Sequence, residues 1–328
     1  MDKFSTTAEL KAIPDGQTVV FKTVCVIRQI ERRNAKNGSE FLKIEVGDRA
    51  SSFWFTCFAS SSVYNFFQAA AADDVIFLEG MSRHYQGAFS PDILSARKLS
   101  DAEIRSGNWR SQLEQRSQED PAELEREMRT YMEMIGNPQL RDTVKGVIEE
   151  LGGRFLRSVA AKSMHHAYKS GLLEHTVHVT RAGIKLLQIY TDVPRDLAIA
   201  GMLLHDVGKV EEYEGDLAVM RTKSGILQGH IILGYRLVRR AGLRNELDSA
   251  LLERLEHIIL SHQGQLEFGA AVLPATPEAI FVALVDNLDA KMGMVSQLLL
   301  STPATQVFSE RFPGLESQML VEKLSEYP

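Results

Sequence analysis

The spacing of apolar residues changes character partway along the chain. From Gln17 to about Arg97 apolar and β-branched residues come in short runs, Thr18 to Ile30, Glu40 to Gly47, Ser51 to Phe58, Val75 to Arg83 and Phe89 to Ala96, which predicts five strands. Asn37-Gly38 and Gln86-Gly87 are turn signals between them, and the alanine-rich stretch Val63 to Ala72 predicts one helix between the third strand and the fourth. Residues 98–122 carry mixed charge and few apolar side chains, which reads as a linker or a solvated helix. Beyond it apolar residues recur three and four apart over Glu123 to Ile135, Leu140 to Leu151, Leu172 to Ile189, Arg195 to His205, Ile226 to Ala241, Glu246 to Ser261 and Pro277 to Leu300, and this spacing predicts helices. Pro138, Pro194 and Pro277 stand where helix starts are expected.

Five short strands with a helix after the third is the element order of an OB-fold, a partly open Greek-key barrel. The expected architecture is therefore a multidomain chain: an OB-fold over residues 1–100, a linker over 101–120, and an all-α domain over 121–328. A length of 328 residues suits two cores. Hydrophobic residues at 44% and charged residues at 24% are ordinary globular values, which excludes a disordered chain. No apolar run reaches the roughly 20 residues that span a bilayer, and Met1 to Ser5 carries no basic-then-apolar leader. The expectation is a cytoplasmic protein with no membrane contact. The net charge of −6 hides a near-neutral first hundred residues, so affinity for a phosphate backbone there requires a local patch. Cys25 and Cys57 both fall in apolar strand-like runs and read as small buried thiols, which leaves no thiolate metal site.

The candidate chemistry lies in the helical half. His205-Asp206 places an imidazole beside a carboxylate, His175 precedes it by about a helical hairpin, and His230, His262 and Asp286 follow. A lone histidine on a helix packs or solvates, so the weight rests on the ordered set. Imidazole with carboxylate suits Mn, Fe, Co or Zn in a catalytic site. If His205 and Asp206 share a helix they point about 100° apart, so Asp206 can bridge two ions. His175 and Asp286 would complete a first ion's surroundings, and His230 and His262 would hold a second. Such ions activate water for phosphoester hydrolysis. Asp206 and Lys209 are the candidate catalytic residues, Lys209 as a point charge for a substrate phosphate.

Around this set, His257 and Asp289 are expected to orient ligands or stiffen the fold. His165 and His166 are candidates to face substrate, and His178 to pack. His84 belongs to the barrel, and Glu174 and Glu267 are weaker candidates for proton transfer. On the barrel, Phe53-Trp54-Phe55-Thr56-Cys57-Phe58 must bury one aromatic set. Phe53 and Phe55 share one strand face and Trp54 and Phe58 the other; whichever set is outward, Trp54 being the candidate with Arg83, could grip a single strand together with Arg28, Arg32, Arg33, Lys36, Lys43 and Tyr85.

These residues give the helical half its resemblance to HD-domain metal-dependent phosphohydrolases, whose order His, His-Asp, His, His, Asp matches His175, His205-Asp206, His230, His262 and Asp286. The whole chain resembles the YhaM-type (CMP-binding-factor) 3′ to 5′ exoribonucleases. Four stretches carry that likeness: His165 to Thr176, Leu204 to Lys209, His257 to His262 and Val285 to Met292. The resemblance implies Mn as the divalent metal, one or two ions, and release of mononucleotides from the 3′ ends of single-stranded RNA or DNA. A homo-oligomer is compatible with it. The chain departs from the family pattern where Ser261-His262-Gln263-Gly264 replaces Ser-His-His-Gly, and where Ser170-Gly171 replaces Gly-Gly. Two alternatives stay open on the sequence: an HD phosphohydrolase acting on nucleotides or cyclic dinucleotides, and a nucleic-acid-binding regulator without catalysis.

Overall fold

The computed structural model describes residues 4–35, 38–49, 51–85, 88–114, 119–161, 168–215, 217–302, 307–309, 311–312 and 314–322. The chain forms two compact units, Met1–Arg116 with Gly215–Met220, and Ser117–Glu214 with Arg221–Pro328.

The first unit begins with helix α1 (Thr7–Lys11), and its main sheet is built from β1 (Val20–Asn34), β2 (Glu40–Gly47), β3 (Ser52–Phe58), β4 (Val75–Met81) and β7 (Asp92–Lys98). Helix α2 (Tyr64–Ala69) follows β3, and a small hairpin, β5 (His84–Tyr85) with β6 (Ala88–Phe89), precedes β7. The strand order is β3-β2-β1-β4-β7 with antiparallel neighbours. The long strand β1 thus pairs with both β2 and β4, as the first strand of an OB-fold does. Alternation of side chains puts Cys25, Ile27, Leu42, Ile44, Phe53, Phe55, Cys57, Ile76 and Leu78 into one core against Phe67 of α2. Cys25 and Cys57 are free and buried. Gly38 closes the β1–β2 hairpin at φ +83°, while Asn37, Gln86 and Gly87 lie outside the described residues.

The segment expected as a linker carries two helices, α3 (Asp101–Ser106) and α4 (Trp109–Leu113), and Leu99 and Leu113 are buried against Val24, Val26 and Val75. Its low apolar content hid this because two leucines and Trp109 suffice to seat it on the sheet. A short return, Gly215–Met220, completes the unit, where Asp73 Oδ1 accepts from the Leu217 and Ala218 amides at 2.7 and 2.6 Å.

The second unit is helical: α5 (Pro121–Glu133), α6 (Pro138–Leu151), α7 (Gly153–Arg157), α8 (Gly171–Leu186), α9 (Arg195–Leu204), α10 (Lys209–Glu212), α11 (Lys223–Arg244), α12 (Ser249–Ser261) and α13 (Pro277–Ser301). Starts are set by side-chain caps: Asp120, Asn137, Thr222, Asp248 and Thr276 each accept from a backbone amide of the first turn, and prolines open α5, α6 and α13. Helix α9 is apolar on every side, with Leu197 to Leu204 all buried, because α6, α8, α12 and α13 surround it. The chemistry sits at its C-terminal end. Among the described residues no helix is long and apolar enough to cross a membrane.

Candidate metal centre

His205 is the C-cap of α9, and the chain leaves the helix there. His205 and Asp206 therefore stand in the turn to α10 and not on one helix, contrary to the expectation. The turn is tight because Gly208 lies against α11: a Cβ on Gly208 would meet the His230 carbonyl oxygen at 1.9 Å and the Gly234 nitrogen at 2.5 Å. His262 is the C-cap of α12 in the same way. Both rings turn back onto their own helix, His205 Nδ1 to the Met202 carbonyl at 2.9 Å and His262 Nδ1 to the Ile259 carbonyl at 2.7 Å. A carbonyl only accepts, so Nδ1 carries the proton and Nε2 presents a lone pair.

His175 comes from α8 between Leu172, Leu173, Val177 and Val179, and its Nδ1 is 2.7 Å from Asp289 Oδ2 on α13. His230 follows Gly229, whose φ of +69° breaks α11 into two helical pieces, so the expected single helix from Ile226 to Ala241 is interrupted. His230 Nδ1 lies 3.0 Å from Glu212 Oε2, an ion-pair contact to a glutamate only 2% exposed. Each of the four imidazoles thus has Nδ1 facing an acceptor and Nε2 turned inward.

The inward atoms converge. His175 Nε2 is 3.1 Å from His205 Nε2, 3.2 Å from Asp286 Oδ1 and 3.4 Å from Asp206 Oδ2, and His205 Nε2 is 3.4 Å from Asp206 Oδ2. The other oxygen, Asp206 Oδ1, is 3.6 Å from His230 Nε2 and 3.5 Å from His262 Nε2. Bonds of about 2.1 Å to one ion put neighbouring donors roughly 3.0–3.4 Å apart, which is the spacing of the first group except for His205 Nε2 and Asp286 Oδ1 at 3.7 Å. In the second, Asp206 Oδ1 and His230 Nε2 are buried with no hydrogen-bond partner. Buried polar atoms left so are costly, and a cation satisfies both. His175, His205 and Asp286 form one candidate cluster, and Asp206, His230 and His262 a second.

The charges agree with that. Burial pushes the Asp206 carboxyl up, but Lys209, His205 and His175 outweigh it and hold it well below the usual range. Burial likewise opposes ionisation of Asp286, yet His175 and His205 bring it down to about 2. Burial lowers the His175 pKa, but Asp206, Asp286 and Asp289 overcome this and leave it well above the ordinary imidazole value.

The remaining expected residues divide. Lys209 Nζ is 2.5 Å from Asp206 Oδ2, so its charge sits on the carboxylate shared by the two groups. Asp289 Oδ2 faces His175 Nδ1. His257 accepts from the Ala275 amide at 2.8 Å and so fastens the segment before α13, the structural one of its two expected roles. His178, expected to pack, contacts Glu119 and Asp289. Glu174 accepts from the Tyr168 hydroxyl at 2.9 Å, and Glu267 is on the exposed 3₁₀ turn Leu266–Phe268. His165 and His166 lie outside the described residues. Sequence reading missed Glu212; its signal was an acid one turn beyond Lys209 in Lys209-Val210-Glu211-Glu212.

On the barrel, Phe53 and Phe55 are core while Trp54 and Phe58 face outward. Lys43 Nζ is 5.0 Å from the Trp54 ring centroid, and the Phe41 and Phe58 rings are 6.0 Å apart. Arg83 pairs with Asp92 at 3.4 Å on the surface, Arg33 with Glu31, and Arg32 reaches the Gln68 carbonyl. His84 stacks edge-on against Phe89. Arg28, expected as a nucleic-acid contact, is instead drawn in at a β-bulge and donates to the Asp48 carbonyl at 2.7 Å. Lys36 lies outside the described residues.

The two departures from the family pattern have local consequences. Gln263 Nε2 is 3.2 Å from His262 Nε2, at the edge of the second group. Ser170 precedes α8 at φ +65°, a backbone conformation that costs an L residue about 1–2 kcal/mol. Ser170→Gly is expected to stabilise the chain by roughly 0.5–1 kcal/mol in urea unfolding, part of the relief being offset by glycine's larger unfolded-state entropy.

Histidines and aspartates from α8, the α9–α10 turn, α11, α12 and α13 converge on one centre, and residues 172–291 match the HD domain family model. Over most of its length the chain is also similar to proteins named 3′-5′ exoribonuclease YhaM. It is 28% identical to that of Bacillus subtilis over 297 residues, covering 89% of this chain and 91% of the relative. For the Shouchella clausii protein the identity is 28% over 89% of this chain and 90% of the relative, and for that of Listeria monocytogenes serotype 4b it is 27% over 95% and 97%.

Proposed function

We propose that the chain is a metal-dependent 3′ to 5′ exoribonuclease that hydrolyses single-stranded RNA and releases mononucleotides. The observation that carries this reading is Asp206, whose two oxygens each face a separate group of inward-turned donors. The similarity to curated 3′-5′ exoribonucleases over about nine-tenths of the chain supplies the substrate class. His175, His205, Asp286 and Asp206 would hold one divalent cation, and Asp206, His230 and His262 a second. Such cations supply Lewis acidity that activates water and offsets charge on the phosphoryl oxygens.

The chain's own residues do the rest. Asp289, Glu212 and the Met202 and Ile259 carbonyls fix the four rings. Lys209 lends positive charge beside the shared carboxylate, where it can pass to a scissile phosphate. The outward barrel face with Trp54, Lys43, Phe41 and Phe58 offers rings and a cation to unstacked bases, with Arg83 as a further charge. Manganese is the preferred ion, single-stranded DNA a second substrate, and the cytoplasm the site of action.

The test is an oligoribonucleotide labelled at its 5′ end and incubated with Mn²⁺: a ladder shortening from the 3′ end is expected, and chelation should stop it. Faster turnover of mononucleotides or cyclic dinucleotides than of oligomers would refute the reading.

Metal uptake should also release protons. His175, with its pKa raised, keeps a proton at neutral pH in the metal-free chain, whereas Asp206 and Asp286, with theirs depressed, are already ionised there. A cation in the first group must expel the imidazole proton, so affinity should fall up to about tenfold per unit as pH drops through the range where His175 stays protonated. Calorimetry at pH 7 in buffers of different ionisation enthalpy should report about one proton released; none would contradict the assignment of His175.

A further inference from the structure

His178 lies three residues after His175 on α8, and the two rings lean on one carboxylate. Asp289 Oδ2 is 2.7 Å from His175 Nδ1, and Asp289 Oδ1 is 3.5 Å from His178 Nδ1. The other ring nitrogen of His178 is 2.5 Å from Glu119 Oε1. Glu119 is held in turn by Arg181, Nη2 to Oε2 at 3.0 Å, and Arg181 reaches Glu127 of α5 through Nε at 2.8 Å and Nη2 at 2.7 Å. Acidic and basic side chains alternate along the whole chain of contacts: Glu127, Arg181, Glu119, His178, Asp289, His175.

We infer that His178 is a positioning residue, which braces Asp289 from its second oxygen so that His175 presents Nε2 to the first cation. Carboxylates only accept, so a ring that hydrogen-bonds Glu119 through Nε2 and faces Asp289 in an ion-pair contact through Nδ1 carries a positive charge. The hydrogen bond to Asp289, assisted by Glu119 and opposed by burial, raises the His178 pKa, in keeping with that charge. With both oxygens engaged by rings on one helix, the Asp289 carboxylate is fixed in rotation as well as in place. Without His178 it can turn about its last side-chain bond, and His175 loses the partner that sets its tautomer and aim. The groups Glu119, Glu174 and His178 lie close enough to suggest a third cation site, but the Arg181 guanidinium already supplies positive charge to Glu119.

This inference rests on the reading that the first group holds a divalent cation, and its test separates the two. Mn²⁺ is titrated calorimetrically into the full-length chain without RNA, comparing wild type with His178→Phe, His178→Gln and Glu119→Gln. His178→Phe should weaken one class of Mn²⁺ site about 10- to 100-fold and leave the other unchanged. His178→Gln, which can still donate to Asp289, should recover part of the loss, and Glu119→Gln should show a smaller loss in the same site. With oligoribonucleotide, kcat should fall while KM holds. Wild-type affinity in His178→Phe, or an equal loss in both sites, overturns the positioning role. Should His178→Phe fail to fold, Glu119→Gln decides, since unchanged Mn²⁺ binding there overturns it equally. A wild-type chain that takes up no Mn²⁺ refutes the cation reading and this inference together.

Discussion

Asp206→Asn is expected to abolish hydrolysis, lowering kcat by about a thousandfold or more, or roughly 4 kcal/mol in the barrier. The carboxylate is shared: Oδ2 is 3.4 Å from both His175 and His205, and Oδ1 is 3.5–3.6 Å from His262 and His230. Asparagine keeps the shape but offers one oxygen and no charge, so only one group can retain an oxygen donor. Lys209, 2.5 Å from Oδ2, would also lose its counter-charge, and a buried ammonium left so disturbs the turn it belongs to. Single-turnover assays with 3′-end shortening as the readout should show the loss, while oligoribonucleotide binding by fluorescence anisotropy should stay close to wild type. Unchanged turnover would reject the bridging role. Loss of RNA binding with turnover per bound complex intact would mean that Asp206 serves the grip and not the chemistry.

Gly208→Ala is expected to be nearly as damaging, although it adds a single methyl group and removes no ligand. The new carbon would sit 1.9 Å from the His230 carbonyl oxygen and 2.5 Å from the Gly234 nitrogen. Both atoms are backbone in α11, and ordinary contact begins near 3.4 Å, so the α9–α10 turn must retreat by more than an ångström. That movement carries Asp206 away from His230 and opens the second group while the His175 and Asp286 side of the first remains. Overpacking of this kind costs about 1–3 kcal/mol. A displacement of about 1 Å at reacting groups can cost about a hundredfold in rate. Urea unfolding together with Mn²⁺ stoichiometry checks this: stability should drop, and bound ions should fall from two towards one. Wild-type stability and stoichiometry would show that the turn is not pinned as described. Gly229→Ala is a useful contrast, because its Cβ would enter open space and the cost is backbone strain at φ +69° alone.

Both effects depend on features only partly visible in the sequence. Helix periodicity and proline placement foretold most of the second unit, because its helices bury apolar stripes and begin at capped or proline-opened turns. The ordered set His175, His205, Asp206, His230, His262 and Asp286 was legible since every member is a chemically distinctive type. What could not be read was how the backbone aims them. An apolar run that ends at a histidine looks the same whether the histidine closes a helix or continues it, and only the Gly208 approach to α11 shows that His205 and Asp206 stand in a turn. Gly229 falls inside a helical run of apolar residues, and nothing in the sequence marks its φ of +69°. Glu212 and His178 escaped because a glutamate or histidine at helical spacing is usually solvated, and their partners, His230 and Glu119, lie 18 and 59 residues away in sequence. In the barrel, alternation separated Phe53 and Phe55 from Trp54 and Phe58 without naming the buried pair. A bulge at Arg28 reversed the expectation for that side chain, since an extra residue in a strand shifts which face its neighbours take.

The most direct test of the central claim is anomalous scattering from crystals grown with Mn²⁺. One peak is expected within bonding distance of His175 Nε2, His205 Nε2, Asp286 Oδ1 and Asp206 Oδ2, and a second bounded by Asp206 Oδ1, His230 Nε2 and His262 Nε2. Peaks confined to other residues, or none in crystals of active protein, would contradict it.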